Sequence, residues 1–211
     1  MKTADTLNIK KKKGTLVLGL TGTVSCGKSS ALKRFAQNGA FTLSADDLAK
    51  ARLEKGTAVY RAVVKKFGPA ALGRGGEIDK KFLAEKIFTS AVYRRWLESL
   101  VHPAALSAAS RLIAGKKGII IFEVPLLFEL GLEKSFTAVI AVDISPAARL
   151  KLARRRGWTP AELNRRLAAQ LPSSAKLEKA DFILDNSTTL SALNAQADRL
   201  YRALAKIIKE Q

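Results

Sequence analysis

Gly22-Thr23-Val24-Ser25-Cys26-Gly27-Lys28-Ser29 decides the fold, because it fits G-x-x-x-x-G-K-[ST] between two differently patterned neighbours. Ahead of it, Thr15 to Leu20 is a short apolar run that reads as a strand. Behind it, Ala31, Leu32, Phe35 and Ala36 recur at helical spacing. Strand, glycine turn and helix in that order point backbone N–H groups inward around an anion and present it with a helix's positive end. Lys28 then reaches the β- and γ-phosphates of a nucleotide, and the Ser29 hydroxyl is a ligand for Mg²⁺. The competing reading is a strand-to-helix turn that binds nothing. The register of all three elements favours the phosphate site.

Further along, Phe41 to Ser44 reads as a second short strand. Gly118 to Val124 and Thr137 to Asp143 are continuous apolar runs, the mark of strands buried on both faces, and Phe182-Ile183-Leu184 is a last short strand within Ala180 to Asn186. Strands separated by helices imply crossover connections and a parallel sheet, hence an α/β fold with about five strands. Ser145-Pro146 is a helix start, with Gly157 ending that segment. Thr159-Pro160-Ala161-Glu162 is a capping box leading into Leu163 to Gln170, stopped near Pro172. Leu190, Leu193, Ala197, Leu200, Leu204 and Ile208 share one face of a closing helix from about 190 to 209. Residues 57 to 114 hold no good strand and read as an all-helical insertion, interrupted by a Gly-rich turn at Gly73 to Gly76.

Composition narrows the classes. The 211 residues carry 37 Lys+Arg against 18 Asp+Glu, a net charge of +19, with 47% hydrophobic and 26% charged residues. That is globular composition, and no apolar run approaches the ~20 residues of a membrane span. One cysteine, Cys26, and one histidine, His102, exclude an intramolecular disulfide and a Cys/His zinc site. The positive charge attracts polyanions. Its scatter over Lys10 to Lys13, Lys65-Lys66, Lys80-Lys81, Lys116-Lys117 and Arg154 to Arg156 suits a basic surface better than a dedicated nucleic-acid arm. Lys10 to Lys13 followed by Thr15 to Leu20 imitates a signal peptide. The imitation is broken by Thr21 and Gly22 and by the motif that follows at once, so a cytoplasmic location is expected.

Five ordered blocks extend the motif. They are Leu20-Thr21-Gly22, Ser44-Ala45-Asp46-Asp47-Leu48-Ala49-Lys50, Val101-His102-Pro103, Val124-Pro125-Leu126-Leu127-Phe128-Glu129, and Arg166 to Gln170 with Ala180-Asp181-Phe182-Ile183-Leu184-Asp185-Asn186-Ser187. On these the chain, from about Leu16 to Leu204, resembles the dephospho-CoA kinases. The resemblance implies a three-layer P-loop NTPase fold. Its nucleotide-binding core would cover 15–56, 116–145 and 173–211, with a helical substrate-binding insertion at 57–115, a lid at 146–172 and a basic extension at 1–14. It implies ATP with Mg²⁺, and transfer of the γ-phosphate to the ribose 3′-hydroxyl of dephospho-CoA. The expected state is monomeric or weakly oligomeric, without a specific nucleic-acid partner and without a membrane.

The resemblance also assigns roles. Lys28, Asp46, Arg155 and Arg166 are the catalytic candidates. Gly22, Ser25, Cys26, Gly27, Lys28, Ser29, Ser30 and Asn186 are expected at the nucleotide, with Ser29 on the metal, and Asp46, His102, Pro125, Leu126, Phe128 and Glu129 at the substrate. The residues alone leave Asp46 open between a carboxylate that accepts the hydroxyl proton and an N-cap for the following helix; the family match favours the base. His102 is a packed element by itself and a substrate-domain residue by resemblance. Arg155 and Arg166 suit developing phosphate charge, whereas Arg154, Arg156 and Arg165 read as a solvated basic face. Cys26 is either a reactive thiol at a helix N-terminus or a small packed residue. The family's usual loop, Gly-Gly-Ile-Gly-Ser-Gly-Lys-Ser, has two glycines that are Thr23 and Ser25 here. Ser44 stands where the family often has Asp, and so does Glu123. Two other readings stay open: a nucleoside monophosphate kinase, and a basic nucleic-acid-binding P-loop protein without kinase activity.

Overall fold

The computed structural model describes residue 7 and residues 13–210. The basic extension expected over 1–14 therefore lies, apart from Leu7, Lys13 and Gly14, outside the described residues. Five strands form one sheet: β1 (Thr15–Thr21), β2 (Phe41–Ser44), β3 (Gly118–Glu123), β4 (Ala138–Asp143) and β5 (Phe182–Asp185), all parallel in the order β2-β3-β1-β4-β5. The strand that feeds the glycine motif is thus central, and the α/β expectation holds.

Burial follows position in the sheet. Every residue of β1 and β3 after the first is buried, which is why both read as unbroken apolar runs. The edge strands β2 and β5 each bury one residue, Leu43 and Leu184. Leu16, Leu18 and Leu20 of β1 join Ile119, Ile121, Ile140 and Val142 under α1 (Lys28–Gln37) and the C-terminal helix α9 (Leu190–Lys209), whose Leu193, Ala197 and Leu204 are buried. A polar clamp ties these two helices together. The Arg34 guanidinium donates to both oxygens of Asp198 at 2.6 Å, and Asn38 donates to the same carboxylate at 2.8 Å. Arg34 first, then Asn38, holds the Asp198 pKa down at about 2.

The remaining helices begin where their caps place them. Ser145 and Thr159 accept from the N–H groups of Ala148 and Glu162, starting α6 (Pro146–Arg155) and α7 (Pro160–Ala168). The capping box after Thr159 is half used, because the Glu162 carboxylate accepts from Arg166. A short helix, α8 (Ser173–Glu178), had no signal in the sequence.

Two compact units are present. Residues 13–44 and 112–210 hold the sheet; Ala45–Arg111 form a second unit with α2 (Ala45–Arg52), α3 (Ala58–Phe67), α4 (Lys80–Thr89) and α5 (Ala91–Ala114) down to Arg111. The second unit has its own core of Val59, Val63, Ala71, Ile78, Leu83, Leu97 and Val101, with Phe67 edge-on to Phe82, Tyr93 and Trp96. Its Gly-rich turn closes through a single antiparallel bridge between Leu72 and Ile78.

Candidate active site

The loop from Gly22 to Ser29 leaves the C-terminal end of β1, the edge at which open parallel sheets bind ligands. Two of its residues have to be glycine. Gly22 has φ 144°, and a Cβ there would lie 2.5 Å from the Val142 carbonyl oxygen and 2.7 Å from Cys26 Sγ. Gly27 has φ 101° and lies under the Asn186 amide, which donates to the Cys26 carbonyl at 2.9 Å. Of the two glycines replaced in this chain, only the one at Ser25 left a mark. Ser25 takes φ 57°, whereas Thr23 does not enter the left-handed region.

The donor set fits a polyphosphate. Gly27 precedes α1 without a side-chain cap, so no side chain competes with a ligand for the first-turn N–H groups. The Lys28 ammonium, 8% exposed, donates to the carbonyls of Gly22 and Thr23 at 3.0 Å each, which arches it across the loop. The hydroxyls of Thr23 and Ser25 are buried without a hydrogen-bond partner among the described residues. Ser29 and Ser30 are exposed in the first turn of α1. No group of three or more His, Cys, Asp or Glu able to hold a metal occurs among the described residues. A nucleotide-borne Mg²⁺ does not require one, since it keeps waters and phosphate oxygens and takes few protein ligands. The site thus gathers Gly22, Ser25, Cys26, Gly27, Lys28, Ser29, Ser30 and Asn186 in one place.

Burial separates the two readings of Cys26. The side chain is 0% exposed, and desolvation pushes the thiol pKa up, the opposing attraction of Lys28 being smaller. The reactive-thiolate reading fails; Cys26 is a packed small residue.

Arg166 stacks on Trp158, 4.1 Å from the ring centroid, and donates to Glu162 at 2.7 Å. Arg156, read as solvated, lies over the other part of this cluster, 5.6 Å from the same ring. Arg155 ends α6 and is exposed. Of the block expected at the substrate, Pro125 and Leu126 are half-buried while Phe128 is buried. Glu129 has both carboxylate oxygens engaged, by Lys176 and by the Leu171 N–H. In the helical unit, Asp46 is exposed in the first turn of α2, beside an Asp47–Lys50 pair at 3.2 Å. His102 is half-buried inside α5, next to Pro103.

Arg149, Trp158 and Lys176 escaped sequence reasoning, and Gln170 entered it only as the end of the Arg166-to-Gln170 block, with no role. Gln170 Oε1 accepts from the Val24 N–H at 2.8 Å, gripping the loop from outside. Arg149 faces Cys26 electrostatically and has a buried Nε without a hydrogen-bond partner. Nothing in the sequence distinguished these side chains from surface ones.

The dephospho-CoA kinase family model matches residues 16–192. A dephospho-CoA kinase of Anaeromyxobacter dehalogenans is 38% identical over 87% of this chain and 90% of its own. One of Methylococcus capsulatus is 34% identical over 89% of this chain and 96% of its own. The crystal structure of TT1252 from Thermus thermophilus superposes with a TM-score of 0.75 at 27% identity, covering 90% of this chain and 98% of that one.

Proposed function

We propose, since the chain belongs to the dephospho-CoA kinase family, that its phosphate loop and four charged residues divide the family's reaction among them. That reaction moves the γ-phosphate of ATP to the ribose 3′-hydroxyl of dephospho-CoA and yields coenzyme A and ADP. The observation that carries the division of roles is the loop itself. It combines glycines at the two positions where no side chain fits, a buried lysine arched over it, and an uncapped helix start.

Lys28 exchanges its two backbone carbonyls for β- and γ-phosphate oxygens. This supplies a fixed positive charge where the transition state gathers negative charge. Backbone N–H groups from Gly27 to Ser29 cradle the phosphates, and Asn186 keeps the Cys26–Gly27 peptide in place. The Ser29 hydroxyl would hold Mg²⁺, which neutralises phosphate charge when bound. Asp46 accepts the 3′-hydroxyl proton, a role suited to an exposed carboxylate that follows two residues after β2 ends. Arg155 and Arg166 neutralise the transferring group; for Arg166 this means leaving Glu162 and Trp158. His102, Pro125, Leu126 and Phe128 serve the substrate side, Phe128 from within the core. A coupled ADP-release assay tests the reading: turnover is expected with dephospho-CoA and not with a panel of nucleoside monophosphates. Turnover with a monophosphate instead would refute it.

A further inference from the structure

Lys176 is a lysine in a six-residue helix, yet it is 1% exposed. A buried ammonium is tolerated only where its charge and its N–H groups are met. Here they are: Nζ donates to the Pro125 carbonyl at 2.8 Å and lies 2.8 Å and 3.1 Å from the two oxygens of Glu129. Each partner leads onward. The Pro125 carbonyl also accepts from the Thr21 hydroxyl at 3.2 Å, at the last residue before the phosphate loop. Glu129 also accepts from the Leu171 N–H at 2.9 Å, and the neighbouring Gln170 holds the Val24 N–H inside that loop. Thr21, Pro125, Lys176, Glu129, Leu171–Gln170 and Val24 thus form a ring of hydrogen bonds that starts and ends on the Thr21–Val24 limb.

We infer that Lys176 and Glu129 are positioning residues for ATP, fixing through Pro125 and Gln170 the limb that carries Gly22 and Thr23. The inference rests on the phosphate loop being the ATP site. Glu129 is then removed from the substrate-contacting set, since both its oxygens are spent inside the ring. The two ends of the limb need an outside hold. The family's second loop glycine is absent here, Ser25 sits in a left-handed conformation, and Lys28 draws its two bonds from Gly22 and Thr23. If the limb shifts, the lysine's perch and the N–H cradle shift with it. Because Gln170 follows α7, the ring also joins the loop to the helix that carries Arg166.

The test measures KM for ATP and for dephospho-CoA, together with kcat, in three variants of the full chain. Gln170→Leu cuts the last link without burying a charge. Lys176→Met with Glu129→Gln removes the pair while leaving no charge unpaired. Lys28→Ala serves as the control for the loop. The first two are expected to raise KM for ATP about five- to tenfold, the size of one or two lost hydrogen bonds, with KM for dephospho-CoA within about twofold of wild type. Unchanged ATP constants in folded Gln170→Leu overturn the inference whatever the double variant does. So does a loss of kcat that merely tracks the folded fraction. A Lys28→Ala variant that keeps both its kcat and its ATP KM would instead refute the loop as the ATP site, so the two failures read differently.

Discussion

Lys28 and Lys176 are both buried ammonium groups at the C-terminal edge of the sheet, and their partners set them apart. Lys28 is held by two neutral carbonyls five and six residues back in its own loop. Lys176 is held by a carboxylate 47 residues away and a carbonyl 51 residues away. The first keeps its charge available, because neutral carbonyls leave it uncancelled and phosphate oxygens can take their place. The second has its charge cancelled where it stands, and losing the Glu129 carboxylate leaves an uncompensated buried ion. One lysine is kept for the ligand and the other for the scaffold.

The largest expected effect tests the first half of that contrast. Lys28→Ala should lower kcat about 10²–10³-fold or more while thermal melting stays near wild type, since the hydrogen bonds lost go to neutral groups of its own loop. Near-normal turnover, or a collapse in melting temperature with activity per folded molecule preserved, would place Lys28 with Lys176 as scaffold. Asp46→Asn extends the contrast to an exposed charge. An amide keeps size and capping ability but accepts no proton, so kcat should fall about 10²-fold with ATP affinity unchanged. A variant that loses melting temperature yet keeps its kcat would make Asp46 a first-turn carboxylate that stabilises α2, not a base.

The contrast also explains what could be read in advance. All five strands, the caps at Ser145 and Thr159, the closing helix and the phosphate loop announce themselves in a few adjacent residues. Their physics is local: glycine at positive φ, a hydroxyl before a helix, an apolar run through the sheet centre. Lys176 carries no such mark, and the blocks that hold Gln170 and Glu129 give no hint of what those side chains bond. They are polar residues whose partners lie 42 to 146 residues away, and the helix bearing Lys176 is too short to have a pattern. The loop hid two things of its own. The burial of Cys26 comes from neighbours distant in sequence, and the left-handed turn at Ser25 looks like any serine until the backbone is seen.

Both give smaller predictions. Iodoacetamide should label Cys26 in the native protein roughly tenfold or more slowly than in urea, because the thiol is buried and its pKa raised. Equal rates would mean that the loop opens freely and that the ring around it does not hold. Ser25→Gly should add about 0.5–1 kcal/mol to stability in urea titration by relieving the positive φ. A loss of stability would show that the Ser25 hydroxyl has a partner that outweighs the strain.

Where the transferred phosphate ends up decides the reaction. The protein, incubated with ATP labelled at the γ-phosphate and with dephospho-CoA, should place the label on the ribose 3′-oxygen of the product with one ADP released per label, and Lys28→Ala should slow that transfer by at least about 10²-fold. Label released as inorganic phosphate, or carried to another acceptor while dephospho-CoA stays unlabelled, would contradict it.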